Sequence, residues 1–344
     1  MAERITSIQV AELAGVSQSA VSRVYTPGAS VSSKTQEKVR KAASELGYRP
    51  NVLARAMVSG KSRIIGLVVA YLENYFYPEA VEKFSNALQE RGYHVLIFMA
   101  SQTASNIDGV MEEILDYQVD GIIMASAEMS SVLANRCQQS GVPVVLFNRS
   151  QDFEGISAVT SDNFAGGLKV AEFFIAAKHK RIAYIAGWEG ASTQRDREAG
   201  FLAGLKSAGQ TLYSRAVGDF DIETAKHAAR TLFDCPKLER PDAVFVANDH
   251  MAISVMDVLR HELGLSVPED VSLIGFDDVP PASWAAYSLT TVRQRANLMV
   301  DETVTTLLNQ IENRATTAKQ VTIDCPLIVR DSAQIPKGWN NERL

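Results

Sequence analysis

Two sets of side chains in this sequence could do chemistry, and both suit recognition better than catalysis. The first lies in QSAVSRVY, residues 18–25. At helical spacing Val21 and Val24 share one side, which leaves Gln18, Ser19, Ser22 and Arg23 on the other. A glutamine amide fits an adenine edge, and a guanidinium fits the two acceptors of guanine. The second set follows short apolar runs. Asn74, Tyr75 and Phe76 come after IIGLVVA, and Asn148 and Arg149 after VPVVLF. Trp188, Ser192, Thr193 and Arg197 follow RIAYIAG, Asn248 and Asp249 follow DAVFVA, and Asp277 ends VSLIGFD. Asp, Asn and Arg bind paired hydroxyls through paired hydrogen bonds, and an aromatic face can cover a ring.

Signatures of covalent or metal chemistry are missing. No GxGxxG follows a strand, and there is no P-loop lysine, HExxH or GxSxG. The five histidines do not join cysteines at metal spacing, and His179 and His261 read as surface residues. Cys137, Cys235 and Cys325 are scattered, which argues against a disulfide framework and a zinc site. No catalytic residue, metal or cofactor is expected.

The first set needs a small helical scaffold, and the sequence supplies one. Thr6 and Gln9 form a capping-box pattern ahead of a helix whose inward face would carry Val10, Leu13 and Ala14. Gly15 breaks that helix, and Ser17 caps the second, over 18–25. A third helix starts near Ser32 or Ser33, buries Val39, Ala42, Ala43 and Leu46, and stops at Gly47. Two short helices joined by a tight glycine turn make a helix-turn-helix. A polar face on a short helix is usually only solvated; turn, caps and basic side chains together favour DNA reading here. Beyond Pro50, Asn51 can cap one more helix over 52–58, too short to stand alone in water.

Charge separates the chain into two parts. Residues 1–63 hold ten Lys or Arg against four Glu, a balance of +6, and the total of −6 leaves −12 for the rest. A basic headpiece on an acidic body localises phosphate contact to one end.

The second set needs parallel strands. IIGLVVA, HVLIFMA, DGIIMAS and VPVVLFN alternate with amphipathic stretches near 77–91, 105–117 and 129–140. RIAYIAG, DAVFVAN and VSLIGFD repeat the pattern with helices near 163–177, 195–208, 222–233 and 249–263. Such alternation predicts two α/β lobes, each a sheet covered on both faces. LTTVRQ then leads to a long helix, 296–313, and two late strands, 320–325 and 327–329. Ligands of open α/β sheets bind beyond the carboxyl ends of the strands, which is where the second set falls. No apolar run is long enough to span a bilayer and no signal peptide opens the sequence, so a cytoplasmic protein is expected.

VAELAGVSQSAVSRV, VSSKTQEKVRKAASELGYRPN and ARAMVSGKS closely resemble the headpiece and hinge of the lac repressor (LacI/GalR) family of transcription regulators, and the resemblance runs to nearly the end of the chain. It implies a helix-turn-helix headpiece over 1–50, a hinge over 51–62, and a two-lobed periplasmic-binding-protein type 1 domain over 63–344. The first lobe would take 63–161 and 292–324, the second 162–291 and 325–344, with crossings near 160–162, 289–292 and 324–326. The resemblance further implies DNA contacts from Ser17, Gln18, Ser19, Ser22, Arg23, Thr35, Asn51, Ala54 and Met57. Met57 stands where the family places a leucine that wedges into a base step; packing on the body is the alternative. Matched segments put effector contacts at Ser192, Thr193, Arg197, Asn248, Asp249, Asp277 and Phe220, with Tyr75 or Phe76 as the stacking ring. Asn148 and Arg149 join them from strand position alone.

Other readings stand beside these. Arg197 and Asp277 could be an interlobe ion pair, Asp249 could cap a helix, and Trp188, Phe220 and Trp284 could be core. The partners implied are a pseudo-palindromic DNA operator, a second copy of the chain, and a small effector, a sugar or sugar acid ahead of a nucleobase. IPKGWNNERL lacks a leucine heptad, so a dimer is expected over a tetramer. A sugar-metabolising enzyme fused to a helix-turn-helix, or a transport-type binding protein, fits less well.

Overall fold

The computed structural model describes residues 5–26, 29–49, 61–100, 104–125, 136–137, 139–151, 155–313 and 317–339. Asn51, Ala54, Met57 and the 52–58 segment lie outside them, as does most of 129–140. The chain divides into two compact units, Met1–Arg63 and Ile64–Leu344.

The first unit is α1 (Ser7–Ala14), α2 (Gln18–Val24) and α3 (Ser33–Leu46). Thr6 and Gln9 form the reciprocal capping box. Gly15 takes φ +63, which a side-chain-bearing residue resists. Ser17 caps α2 and Ser32 caps α3. The core is Val10, Ala11, Ala14, Val21, Val39, Ala42 and Ala43. Leu13 is half exposed, contrary to expectation, because the buried arc of α1 is centred between Val10 and Ala11. The second helix ends at Val24, and Tyr25 instead packs on Tyr48 with ring centroids 6.2 Å apart.

The second unit has twelve described strands: β1 (Ile64–Val69), β2 (His94–Met99), β3 (Gly121–Ala125), β4 (Val144–Phe147), β5 (Ser157–Ser161), β6 (Ile182–Ala186), β7 (Ser214–Val217), β8 (Ala243–Val246), β9 (Ser272–Asp277), β10 (Thr290–Arg293), β11 (Gln320–Ile323) and β12 (Leu327–Ile328). Its helices are α4 (Phe76–Glu90), α5 (Ala104–Asp116), α6 (Asn163–Ala176), α7 (Ser192–Ser207), α8 (Ile222–Phe233), α9 (Asp249–Asp257) and α10 (Ala296–Asn313). One sheet runs β11-β5-β4-β3-β1-β2 and the other β12-β10-β9-β8-β6-β7. In each, the first five strands in chain order stand as 2-1-3-4-5, a doubly wound arrangement with one late strand added. The pairs are parallel except β10 with β12. The chain therefore changes sheet three times, after β5, after β10 and after β11. The second crossing lies beyond Arg293, later than 289–292, because Thr290–Arg293 still pairs with β9.

The buried strands are where the apolar runs placed them. β1, β3, β4, β6, β8 and β9 are almost wholly buried. α6 and α7 cross without intervening side chains. A Cβ on Gly167 would stand 2.0 Å from the Arg197 carbonyl oxygen, and one on Gly200 would stand 1.9 Å from that of Phe164. Backbone cannot yield as a side-chain tip can. Gly200→Ala is therefore expected to cost about 1–3 kcal/mol in urea unfolding; a neutral result would show that the crossing is loose.

Candidate nucleic-acid face and ligand cleft

On the headpiece, Gln18, Ser19, Ser22 and Arg23 are all exposed on α2, opposite buried Val21. Ser17 Oγ accepts from Ala20 N and lies 2.9 Å from Ser19 Oγ. Gln18 Nε2 donates to Ser7 Oγ at 3.0 Å, which ties the amide to α1. Arg23 Nε reaches back to the Ser19 carbonyl at 3.4 Å. Thr35 sits in the first turn of α3, its hydroxyl 2.9 Å from Ser32 Oγ. Lys34, Lys38, Arg40 and Lys41 are exposed along α3, available to phosphates.

In the second unit the strand ends do converge. Asn74, past β1, donates from Nδ2 to Asp277 Oδ2 at 3.2 Å, joining the two lobes. Ser150 N donates to Ser192 Oγ at 3.0 Å, a second link across the cleft. The Arg149 guanidinium stands over Trp188, 5.3 Å from the ring centre, a third. Asn148, Arg149, Ser192, Thr193, Arg197, Asn248, Asp249 and Asp277 are all buried at this junction.

Arg197 is its most heavily held residue. Nε donates to Asn163 Oδ1 at 2.9 Å and Nη1 to the Ala247 carbonyl at 2.6 Å. Nη2 stands 3.4 Å from Asp277 Oδ1, and the guanidinium lies 3.7 Å above the Phe276 ring. Arg197 on α7 and Asp277 on β9 belong to the same lobe, so the pair is not the interlobe one the sequence left open. Asp277 also accepts from Gln294 Nε2 at 2.7 Å, and Ser161 Oγ donates to Gln294 Oε1 at 2.8 Å. A chain of hydrogen bonds thus connects the cleft to two of the crossing segments.

Asp249 is wholly buried and does not cap a helix; Asn248 does, accepting from Met251 N. Asp249 accepts from Thr291 Oγ1 at 2.6 Å and Val279 N at 3.1 Å. Burial and the neighbouring Asp277 push its carboxyl up to about 8, so it holds its proton at neutral pH. Burial also raises Asp277, opposed chiefly by Arg197 and by hydrogen bonds from Asn74 and Gln294. The cation partner makes Asp277 the ionised member of the two.

The aromatic candidates differ in burial, and one alternative, Trp284 as core, needs correcting. Tyr75 is half exposed, while Phe76 is buried and stacked on Phe147 at 5.9 Å. Trp284 is exposed and not core. Phe220 is buried but holds φ +57, a costly conformation for a bulky residue. Asn148, Asp219, Asp277 and Asp278 also take positive φ at strand ends. Such strain gathers where function requires it. His179 is likewise buried and not a surface residue: its ring packs edge-on against Phe174, and Nδ1 lies 3.4 Å from Asp242.

Sequence reasoning missed Tyr71, Tyr77, Asn163 and Gln294. Tyr71 packs against Tyr77 with ring centroids 5.1 Å apart and the planes tilted by 60°, and burial raises its phenol well above the usual range. Tyr77 OH lies 3.0 Å from Asn148 Nδ2. Tyr71 could have been found, since it stands just past β1, but Gln294 is separated from Asp277 by a whole strand. Beside this network an open cavity of about 360 Å³ is lined by Phe76, Lys83, Asp277, Asp278 and Gln294, among others. Among the described residues no cluster of metal-ligating side chains occurs, and no helix is long and apolar enough to cross a membrane.

A headpiece with an exposed polar reading helix, on a two-lobed α/β body with a polar cleft, defines a ligand-controlled regulator class. Comparison with known proteins agrees. Residues 8–51 match the family described as bacterial regulatory proteins, lacI family, and 171–333 match a periplasmic binding protein-like domain. The HTH-type transcriptional regulator CelR of Thermobifida fusca is 34% identical over 96% of this chain and 98% of its own length. The ribose operon repressor of Escherichia coli K12 is 31% identical, covering 95% of this chain and 99% of its own. The lac repressor dimer bound to operator and the anti-inducer ONPF superposes with a TM-score of 0.86 at 26% identity, covering 96% of this chain and 99% of that one. The chain belongs to the lacI family of bacterial regulatory proteins, and it is a regulator, not an enzyme.

Proposed function

We propose that this chain is a cytoplasmic transcription repressor that binds a pseudo-palindromic operator as a homodimer and changes its hold when a small hydroxylated ligand enters the interlobe cleft. The observation that carries the reading is the face of α2. Four exposed polar side chains, one of them cationic, stand on a capped helix whose inner side is already satisfied. A dimer places two such helices one DNA turn apart, hence the two-fold operator. The relatives support the pairing of operator with ligand: one solved structure is a CelR–cellobiose complex, and another holds the lac repressor on its operator.

Ligand control follows from the cleft's construction. A ligand that touches Asp277 alters a group bonded to Asn74 of the other lobe and to Gln294 at a crossing. Closing or opening the lobes then biases which of two dimer arrangements is held.

Selection of duplexes from a random pool tests the reading. Enriched sequences are expected to share a two-fold symmetric site, and recovery without any shared sequence would sink it. Within that site Arg23→Ala is expected to weaken binding by about 1–3 kcal/mol and to relax one position in each half. An equal loss on every sequence would make Arg23 a phosphate contact instead.

A further inference from the structure

Buried polar atoms without partners are uncommon in native proteins, and each calls for a reason. Among the described residues the cleft holds two, Asn148 Oδ1 and Arg149 Nε, while a third atom, Arg197 Nη2, makes no hydrogen bond and has only the 3.4 Å approach of Asp277. Their side chains belong to residues only 4%, 4% and 2% exposed. Together they offer one acceptor and two donors from both lobes.

The charges in the cleft do not cancel. Arg197 is answered by Asp277 at 3.4 Å. Asp249 is held protonated by burial and by Asp277, and Tyr71 is held neutral by burial. Arg149 differs: it faces the Trp188 ring and the field of the neutral Tyr71 phenol, and among the described residues it has no carboxylate partner. A buried cation with neither counter-charge nor acceptor is costly. The Trp188 face 5.3 Å from the guanidinium limits its freedom, which lowers the ordering cost of binding an anion there.

We infer that the effector is a hydroxylated carboxylate, a sugar acid and not a neutral sugar, whose carboxylate is bound by Arg149 while its hydroxyls meet Asn148 and Arg197. The inference rests on the cleft being the effector site, as proposed above. One uncompensated cation suits a singly charged carboxylate better than a phosphate monoester, which carries nearly two charges.

Thermal unfolding of the full-length protein tests it with matched probes. D-Gluconate, D-glucuronate and D-galacturonate are compared with D-glucose, D-galactose, glucose 6-phosphate and hypoxanthine. At least one acid is expected to raise the midpoint by several degrees while its neutral counterpart does not. Arg149→Gln is expected to weaken that acid by about thirtyfold or more. Arg149→Lys keeps the charge without the fork, so it should retain the preference for acids at reduced affinity. It also carries the test if the glutamine variant fails to fold.

The inference is overturned if no acid shifts the midpoint, if a neutral sugar, the phosphate or the base stabilises most, or if the acid's effect survives in Arg149→Gln. Operator binding separates this failure from failure of the regulator reading. A neutral sugar that releases operator removes the carboxylate and leaves the repressor standing. A protein that selects no operator removes the repressor instead.

Discussion

Arg197→Ala is expected to lower the unfolding free energy by about 3–5 kcal/mol, the usual cost of removing one partner from a buried ion pair. The residue is 2% exposed and engages Asn163, the Ala247 carbonyl, Asp277 and the Phe276 ring at once. Alanine would leave Asp277 buried with only the Asn74 and Gln294 amides. Its carboxyl, already raised by burial, would rise further because the opposing cation is gone. A folded-state pKa raised above the unfolded value means that the folded state takes up a proton, and stability falls as pH rises through that interval. The deficit of the variant should therefore shrink in acid. Urea unfolding at pH 5 and pH 7 measures both parts. A loss below about 1 kcal/mol, or one equal at the two pH values, would contradict this account of Arg197. The headpiece is a separate compact unit, so operator binding is expected to persist wherever the variant stays folded, while response to ligand disappears.

The same residue shows what a sequence can and cannot convey. Arg197 was legible because it follows a buried strand by a short interval, and strand carboxyl ends are where open sheets bind ligands. Its partners were not: Asn163 lies 34 residues away and Ala247 50. The headpiece was readable nearly to the residue because caps at Thr6, Ser17 and Ser32 and glycines at 15 and 47 act within one helical turn. Strands β5, β7 and β10 escaped notice. Ser157–Ser161 and Thr290–Arg293 are interrupted by hydroxyls that the fold nonetheless buries, and Ser214–Val217 is an edge strand with alternating exposure. Sequence context misled at His179, which stands among lysines yet is drawn inward by Phe174 and Asp242. At Asp249 the capping alternative fails, because Asn248 takes the cap and frees the carboxylate for Thr291 and Val279.

That freed carboxylate yields the second large effect. Asp249→Asn is expected to stabilise the protein at and above neutral pH, by an amount on the order of 4 kcal/mol at pH 7, with the difference vanishing near pH 4. Burial and the charge of Asp277 hold the folded-state pKa at about 8, against an ordinary value of 3.8. Between those values the folded protein carries a proton that the unfolded chain has released, so stability declines as pH rises across the interval. Asparagine reproduces the protonated form. Its carbonyl can accept from Val279 N as Asp249 does, and its amide can donate to Thr291 Oγ1 once that hydroxyl, which now donates to Asp249, turns to accept. The site admits nothing larger: a Cβ on Gly275 would stand 2.1 Å from Asp249 Oδ1, so the carboxyl already rests against bare backbone. Thermal unfolding of both proteins from pH 4 to pH 9 decides the matter. A variant less stable at every pH would mean that Asp249 is ionised in the fold and paired. A gap that widens toward acid would mean that the proton sits elsewhere, with Asp277 the obvious holder. If the gap behaves as expected and ligand response is also lost, the buried acid is retained for recognition at the expense of stability, and the cleft is the place where this fold is deliberately out of balance.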